Sequence, residues 1–154
     1  MTLSLLVNID VDDLDAATTF YCSAFGLTVG RRLGPAVVEL LGGTAPIYLL
    51  LKPADSPATP AGSARAYGRH WTPVHLDFVV DDIEQAKVRV LAAGAKLESD
   101  VSSAAWGKLA LFADPFGHGF CLVEFSAAGY DAIAVSRDGL VDGKVRGARF
   151  DSGA

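Results

Sequence analysis

A chain of 154 residues has room for one domain of ordinary size, and at this length roughly two thirds of the extended-chain surface can be buried without staples. With 51% hydrophobic and 20% charged residues it reads as a packed globule, which excludes a disordered polymer. Thirteen Lys and Arg against 18 Asp and Glu leave a formal charge of −5, so no basic stripe is present for a nucleic-acid backbone, and no apolar run approaches the roughly 18 residues a membrane span needs.

The first residues, Met1 to Val7, carry no basic region or small-residue cleavage site and run quickly to Asp10, so they do not read as a signal peptide. Cys22 and Cys121 lie far apart with no CxxC spacing. Free thiols and a cytoplasmic location are the expectation.

Residues Leu6 to Ala17 (LVNIDVDDLDAA) alternate in polarity, pass through Asp12-Asp13 and continue into a helical pattern. Leu14, Ala17, Tyr21 and Ala24 or Phe25 fall on one face of a helix over Leu14–Phe25. The aspartates can cap its free amides, and Gly26 suits a left-handed stop. Strand-like runs follow at Leu27–Arg32, Ala36–Leu41 and Pro46–Leu51, the last after a Gly42-Gly43 turn. Lys52 to Thr72 is rich in Pro, Ala, Gly and Ser without a sustained period and reads as a connector.

The pattern then returns. His75 to Ala86 (HLDFVVDDIEQA) repeats the first segment at an offset of 69, with a helix over Ile83–Ala93 and Gly94 as its stop. Strand-like runs at Lys96–Val101, Gly107–Phe112 and Gly119–Phe125 follow, with Asp114-Pro115-Phe116-Gly117 turning into the last. The predicted fold is α+β: two tandem βαβββ modules forming a curved sheet around a shared pocket. The division is residues 1–53 for the first module, 54–73 for the linker, 74–126 for the second module and 127–154 for a C-terminal extension, all in one structural domain. In the extension, Tyr130, Ile133 and Val135 are the apolar anchors, and residues 145–154 are expected to fray.

The segments VDDLDAATTFYCSAFGLTVG, HLDFVVDDIEQA and WGKLALFADPFGHGFCLVEF resemble the vicinal oxygen chelate superfamily, which contains glyoxalase I, extradiol dioxygenases, fosfomycin-resistance transferases and bleomycin-resistance binding proteins. The likeness covers about residues 3 to 126, and its most specific parts are the Phe-Tyr pair in the first helix and the DPxG turn. It implies the fold just described, frequent homodimers, and one divalent metal held by His, Gln or Glu from the first and last strands of each module. The matching positions here are Leu6, Tyr48, His75 and Cys121. Only His75 is a usual ligand, because Cys121 stands where the DPxGxxxE pattern places its Glu. Glu124 should face the other side of the strand.

The expectation is therefore a homodimeric, metal-independent protein that binds a small hydrophobic or aromatic molecule between its modules. The alternative is a glyoxalase-like lyase or isomerase, or an extradiol-type dioxygenase, with a divalent metal anchored at His75. A third reading is metal-free acid–base chemistry by His75 with Glu39 or Asp77. His75 is either a pocket base or a histidine satisfied by Asp77. Glu39, in the apolar run Val37–Leu41, is a general base with a raised pKa if it faces inward and a surface residue if not. Asn8 and Asp77 share the inward parity of His75. Tyr48 and Trp106 are candidates to stack on an aromatic ligand, or simply core. Cys121 is either a cavity thiol or an inert small hydrophobe, and His118 is expected at the surface.

Overall fold

The two helices begin and end where local chemistry places them. A computed structural model describes residues 3–135. In it α1 spans Leu14–Phe25 and α2 spans Ile83–Ala93, the bounds the sequence predicts. Asp13 and Asp82 hold extended backbone, and their carboxylates accept from the amides of Ala16 and Gln85. Gly26 (φ 68°) and Gly94 (φ 111°) take the left-handed conformation that ends each helix.

Around α1 run β1 (Val7–Val11), β2 (Thr28–Arg32), β3 (Val37–Leu41) and β4 (Ile47–Leu51). Around α2 run β5 (Leu76–Val79), β6 (Lys96–Ala104), β7 (Gly107–Ala113) and β8 (Gly119–Phe125), and a 3-10 turn follows at Gly129–Ala132. The sheet orders are β1-β4-β3-β2 and β5-β8-β7-β6, so each module builds the same mixed sheet. In each, the first strand lies parallel to the last and the other pairs are antiparallel. β6 runs beyond the predicted Val101 because it stays paired to β7 across two register irregularities.

Alternation along the strands separates two faces. Val38, Leu40, Ile47 and Leu49 are buried toward the helices, as are Ala110, Phe112, Phe120 and Leu122 in the second sheet. Each fully buried large apolar side chain contributes about 1.5–3 kcal/mol. The modules share this core. Phe25 of α1 stacks on Phe78 of β5 with ring centroids 3.7 Å apart, and Phe20 meets Phe120 edge-on.

The edge strands β1 and β5 form no ladder with each other, so the two sheets do not close into one. A cavity lined by both modules lies at their seam, but the cavity that holds His75 is a different one. That cavity is lined by the second module and the segment after it, with no contribution from Asn8, Glu39 or Tyr48.

The connector is tied down at several points that its composition does not reveal. Arg65 Nε bonds Asp10 Oδ2 at 2.7 Å, the Tyr67 hydroxyl donates to the Lys52 carbonyl at 2.7 Å, and Arg69 pairs with Glu98 at 2.5 Å. Gly117, at φ 86°, lies so close that a Cβ there would sit 2.6 Å from the Tyr67 carbonyl oxygen. Residues 145–154, expected to fray, lie outside the described residues.

Candidate functional site

The parallel pairing of β5 with β8 sets Asp77 directly opposite Cys121, on the face turned away from α2. His75, two residues before Asp77, shares that face, and its Nε2 lies 3.1 Å from Asp77 Oδ1. The Cys121 thiol lies beside the same carboxylate, within 4.8 Å, so Asp77 stands between the imidazole and the thiol. One nitrogen, one oxygen and one sulfur, from His75, Asp77 and Cys121, thus lie within 4.8 Å of one another. Burial, reinforced by the negative charges of Asp77 and Glu98, pushes the thiol up to about 12, so it is protonated at neutral pH. His75 is half-exposed and satisfied by Asp77, while Cys121 is buried.

Over this floor lies a cavity of roughly 520 Å³, within the range of small-molecule sites. Its walls are Trp106, Leu109, Tyr130, Ile133 and Ala134. The Trp106 ring lies 5.4 Å from Tyr130 and 6.3 Å from Phe125, centroid to centroid. Tyr130 and Ile133, read from sequence only as anchors of the extension, are walls of this cavity. Val135 stays exposed.

The matching face of the first module carries a different chemistry. Glu39 faces away from the helix, beside its register partner Tyr48, and is buried. Arg31 grips it in a fork, Nε to Oε2 at 2.8 Å and Nη2 to Oε1 at 2.5 Å, and the Tyr48 hydroxyl donates to Oε1 at 2.6 Å. These donors hold the Glu39 carboxyl down at about 2. The raised pKa expected of an inward Glu39 is therefore corrected: the donors of Arg31 and Tyr48 overcome the desolvation, and the carboxylate is a fixed anion rather than a base. Tyr48 is spent on the same ion pair. Asn8 is exposed next to Tyr48 in the register.

Three further placements refine the predicted set. His118 is not at the free surface. Its half-buried ring reaches across to the first module, with Nε2 2.8 Å from the Asp10 carbonyl oxygen. Glu124 turns to the helix side as expected, accepting from the Ile83 amide and from Lys108 Nζ. His70 and Trp71 stand exposed in the connector.

One buried pair escaped the sequence reading. The Tyr21 hydroxyl donates to Asp114 Oδ2 at 2.7 Å, while Asp114 Oδ1 accepts from the amides of Phe116 and His118. Burial and the Asp114 charge raise the Tyr21 pKa well above its ordinary value. Its two halves belong to the Phe-Tyr pair and the DPxG turn, which are therefore the clasp between modules.

The four positions matched to metal ligands do not supply an oxygen-rich site. Leu6 has no donor atom, and the Tyr48 oxygen is committed to Glu39 and Arg31. The donors at hand are the imidazole, carboxylate and thiol of one module. That set suits a borderline ion such as zinc better than manganese or iron, and it requires the thiol to lose its proton.

A family model described as a glyoxalase-like domain matches residues 6–123. The chain is 29% identical over 128 residues to the anthracycline biosynthesis protein DnrV of Streptomyces peucetius, covering 83% of this chain and 43% of that one. It thus spans less than half the length of that relative. It is 31% identical over 121 residues to the uncharacterized protein Mb0911c of Mycobacterium bovis, covering 73% and 76% of the two chains. The crystal structure of a glyoxalase/bleomycin resistance protein/dioxygenase family enzyme from Burkholderia phytofirmans superposes with a TM-score of 0.62 at 22% identity, covering 79% of this chain and 97% of that one.

Proposed function

We propose a binding function for this chain, which belongs to the glyoxalase-like domain family of the vicinal oxygen chelate superfamily. In this reading it holds a small hydrophobic or aromatic molecule in the cavity over β5 and β8, without the family's usual metal centre. One observation carries it: aromatic and aliphatic side chains wall a ligand-sized cavity whose polar groups are confined to the His75–Asp77–Cys121 floor. Trp106 and Tyr130 would stack on a planar ligand, and His75 would orient it by hydrogen bonding. The name of the Streptomyces relative favours polycyclic aromatics as the first ligands to try.

The test uses the two tryptophans, Trp71 and Trp106. In a Trp71→Phe background, an anthracycline should quench Trp106 saturably, and Tyr130→Ala should weaken that binding by about tenfold, the upper range for one aromatic contact. Equal affinity with and without the Tyr130 ring would remove the reading.

The donor set at the floor supports a second reading, a divalent metal anchored at His75 with Asp77 and Cys121. A bound ion would supply Lewis-acid polarisation of vicinal oxygens on a substrate. The protein's own part would be to hold that ion and to exclude water with Trp106 and Tyr130. Elemental analysis of chelator-free protein decides between the readings: near-stoichiometric metal that vanishes in His75→Ala favours the second.

A homodimer belongs to the same proposal. Leu6, Trp71 and Val74 are exposed, an apolar load that a second copy would cover. Light scattering on the purified protein tests it. A cytoplasmic setting is supported by two cysteines that remain free thiols.

A further inference from the structure

A larger cavity, roughly 710 Å³, lies at the seam between the modules and meets the His75 floor only at Asp77. It is built where the C-terminal end of α1 meets β5 and α2, and Phe25, Leu27, Ile47, Leu76, Phe78 and Leu122 give it an apolar lining. At its edge the 42–45 turn and Leu5 form a rim. Leu5 and Val79 flank the opening while 72% and 61% exposed, so apolar surface remains there for an occupant to cover.

The lining includes two charged residues, Asp77 and Arg89. Asp77 directs its carboxylate to His75 Nε2, 3.1 Å away. Arg89, from the exposed side of α2, enters no ion pair among the described residues, whereas Arg31, Arg32, Arg65 and Arg69 each do. A guanidinium at the lip of an apolar cavity matches one kind of molecule, an anionic head on an apolar body.

We propose that this seam cavity is a second binding site, for an amphipathic monocarboxylate whose aliphatic or aryl body enters between the modules and whose carboxylate pairs with Arg89. The site stands apart from the aromatic-ligand reading, since the two cavities have only Asp77 in common.

Isothermal titration with sodium octanoate, below its micellar concentration, and with octanol tests the proposal on the intact chain. Octanoate should bind about tenfold tighter than octanol, the discrimination expected from one charge-assisted hydrogen-bonded pair. Arg89→Met keeps an apolar stem at an exposed position and should bring octanoate down to the octanol affinity. Trp106→Ala should change neither. Equal affinity of the two probes for the wild type overturns the proposal, as does octanoate binding unaffected by Arg89→Met. Loss of octanoate binding in Trp106→Ala would place the anion in the other cavity, with the same consequence.

Discussion

Replacing Tyr21 by Phe removes a single oxygen and leaves the ring, so the perturbation is confined to one hydrogen bond. That oxygen is the donor to Asp114 Oδ2, and both residues are 3% exposed. The carboxylate then loses one of three donors and keeps the Phe116 and His118 amides on Oδ1. A hydrogen bond to a charged group contributes about 1.5–3 kcal/mol, and the two surviving donors put the expected cost in the lower half of that range. For a chain of this length each kcal/mol lowers the melting temperature by about 2–4 °C. Urea unfolding at pH 7 should therefore show Tyr21→Phe less stable by about 1.5–2 kcal/mol, with the slope unchanged. Tyr21→Phe combined with Asp114→Asn should cost less than the sum of the two, because both remove the same contact. A Tyr21→Phe protein within about 0.5 kcal/mol of the wild type, the spread of neutral surface changes, would refute the clasp between modules.

Glu39 should make stability depend on acid in a defined window. Its carboxyl sits near 2 in the folded chain against an ordinary value of 4.5, so its contribution is complete above about 4.5 and is lost as pH falls toward 2; the urea-midpoint gap between wild type and Glu39→Gln should shrink across that interval. Cys121, with its thiol near 12, should resist alkylation. Even after allowing for the stronger nucleophilicity of a basic thiolate, iodoacetamide at pH 8 should label it at least about thirtyfold more slowly than a free peptide thiol, as read by peptide mass mapping. Gly117→Ala combines a left-handed φ with a Cβ pressed on the Tyr67 carbonyl, and should lower stability by more than about 1 kcal/mol, measured by thermal unfolding.

Local signals carried most of the fold. The helix bounds were legible because an apolar period, an aspartate cap and a glycine stop agree at each of Leu14–Phe25 and Ile83–Ala93. The repeat at offset 69 also put His75 and Asp77 on one face, and the count from the DPxG turn brought in Cys121. What stayed hidden depends on partners distant in sequence or on register. Arg31 reaches Glu39 across a slip in the β2–β3 pairing between Val29 and Arg32, which alternation does not reveal. Arg65 and Arg69 sit in a connector without period, and only the folded chain brings them to Asp10 and Glu98. Tyr130 and Ile133 reach the cavity through a 3-10 turn that has no periodic signature of its own.

The two modules differ in chemistry on the face away from the helix. Both place the same strand pair on the face away from the helix, Asn8 opposite Tyr48 in one and Asp77 opposite Cys121 in the other. In the first module Arg31, Glu39 and Tyr48 satisfy one another within a closed ion-paired set. Such a set holds strands in register and leaves no group poised to change protonation near neutral pH. In the second, His75 remains half-exposed, the carboxylate and thiol beside it stay within reach of a cavity, and a segment outside the repeat supplies Tyr130 and Ile133 as a wall. A module kept only for packing would need neither the exposed imidazole nor the added wall. On the proposed reading, recognition at the His75 cavity falls to the second module, and the first acts on it mechanically, through the Tyr21–Asp114 bond at the turn that leads into β8.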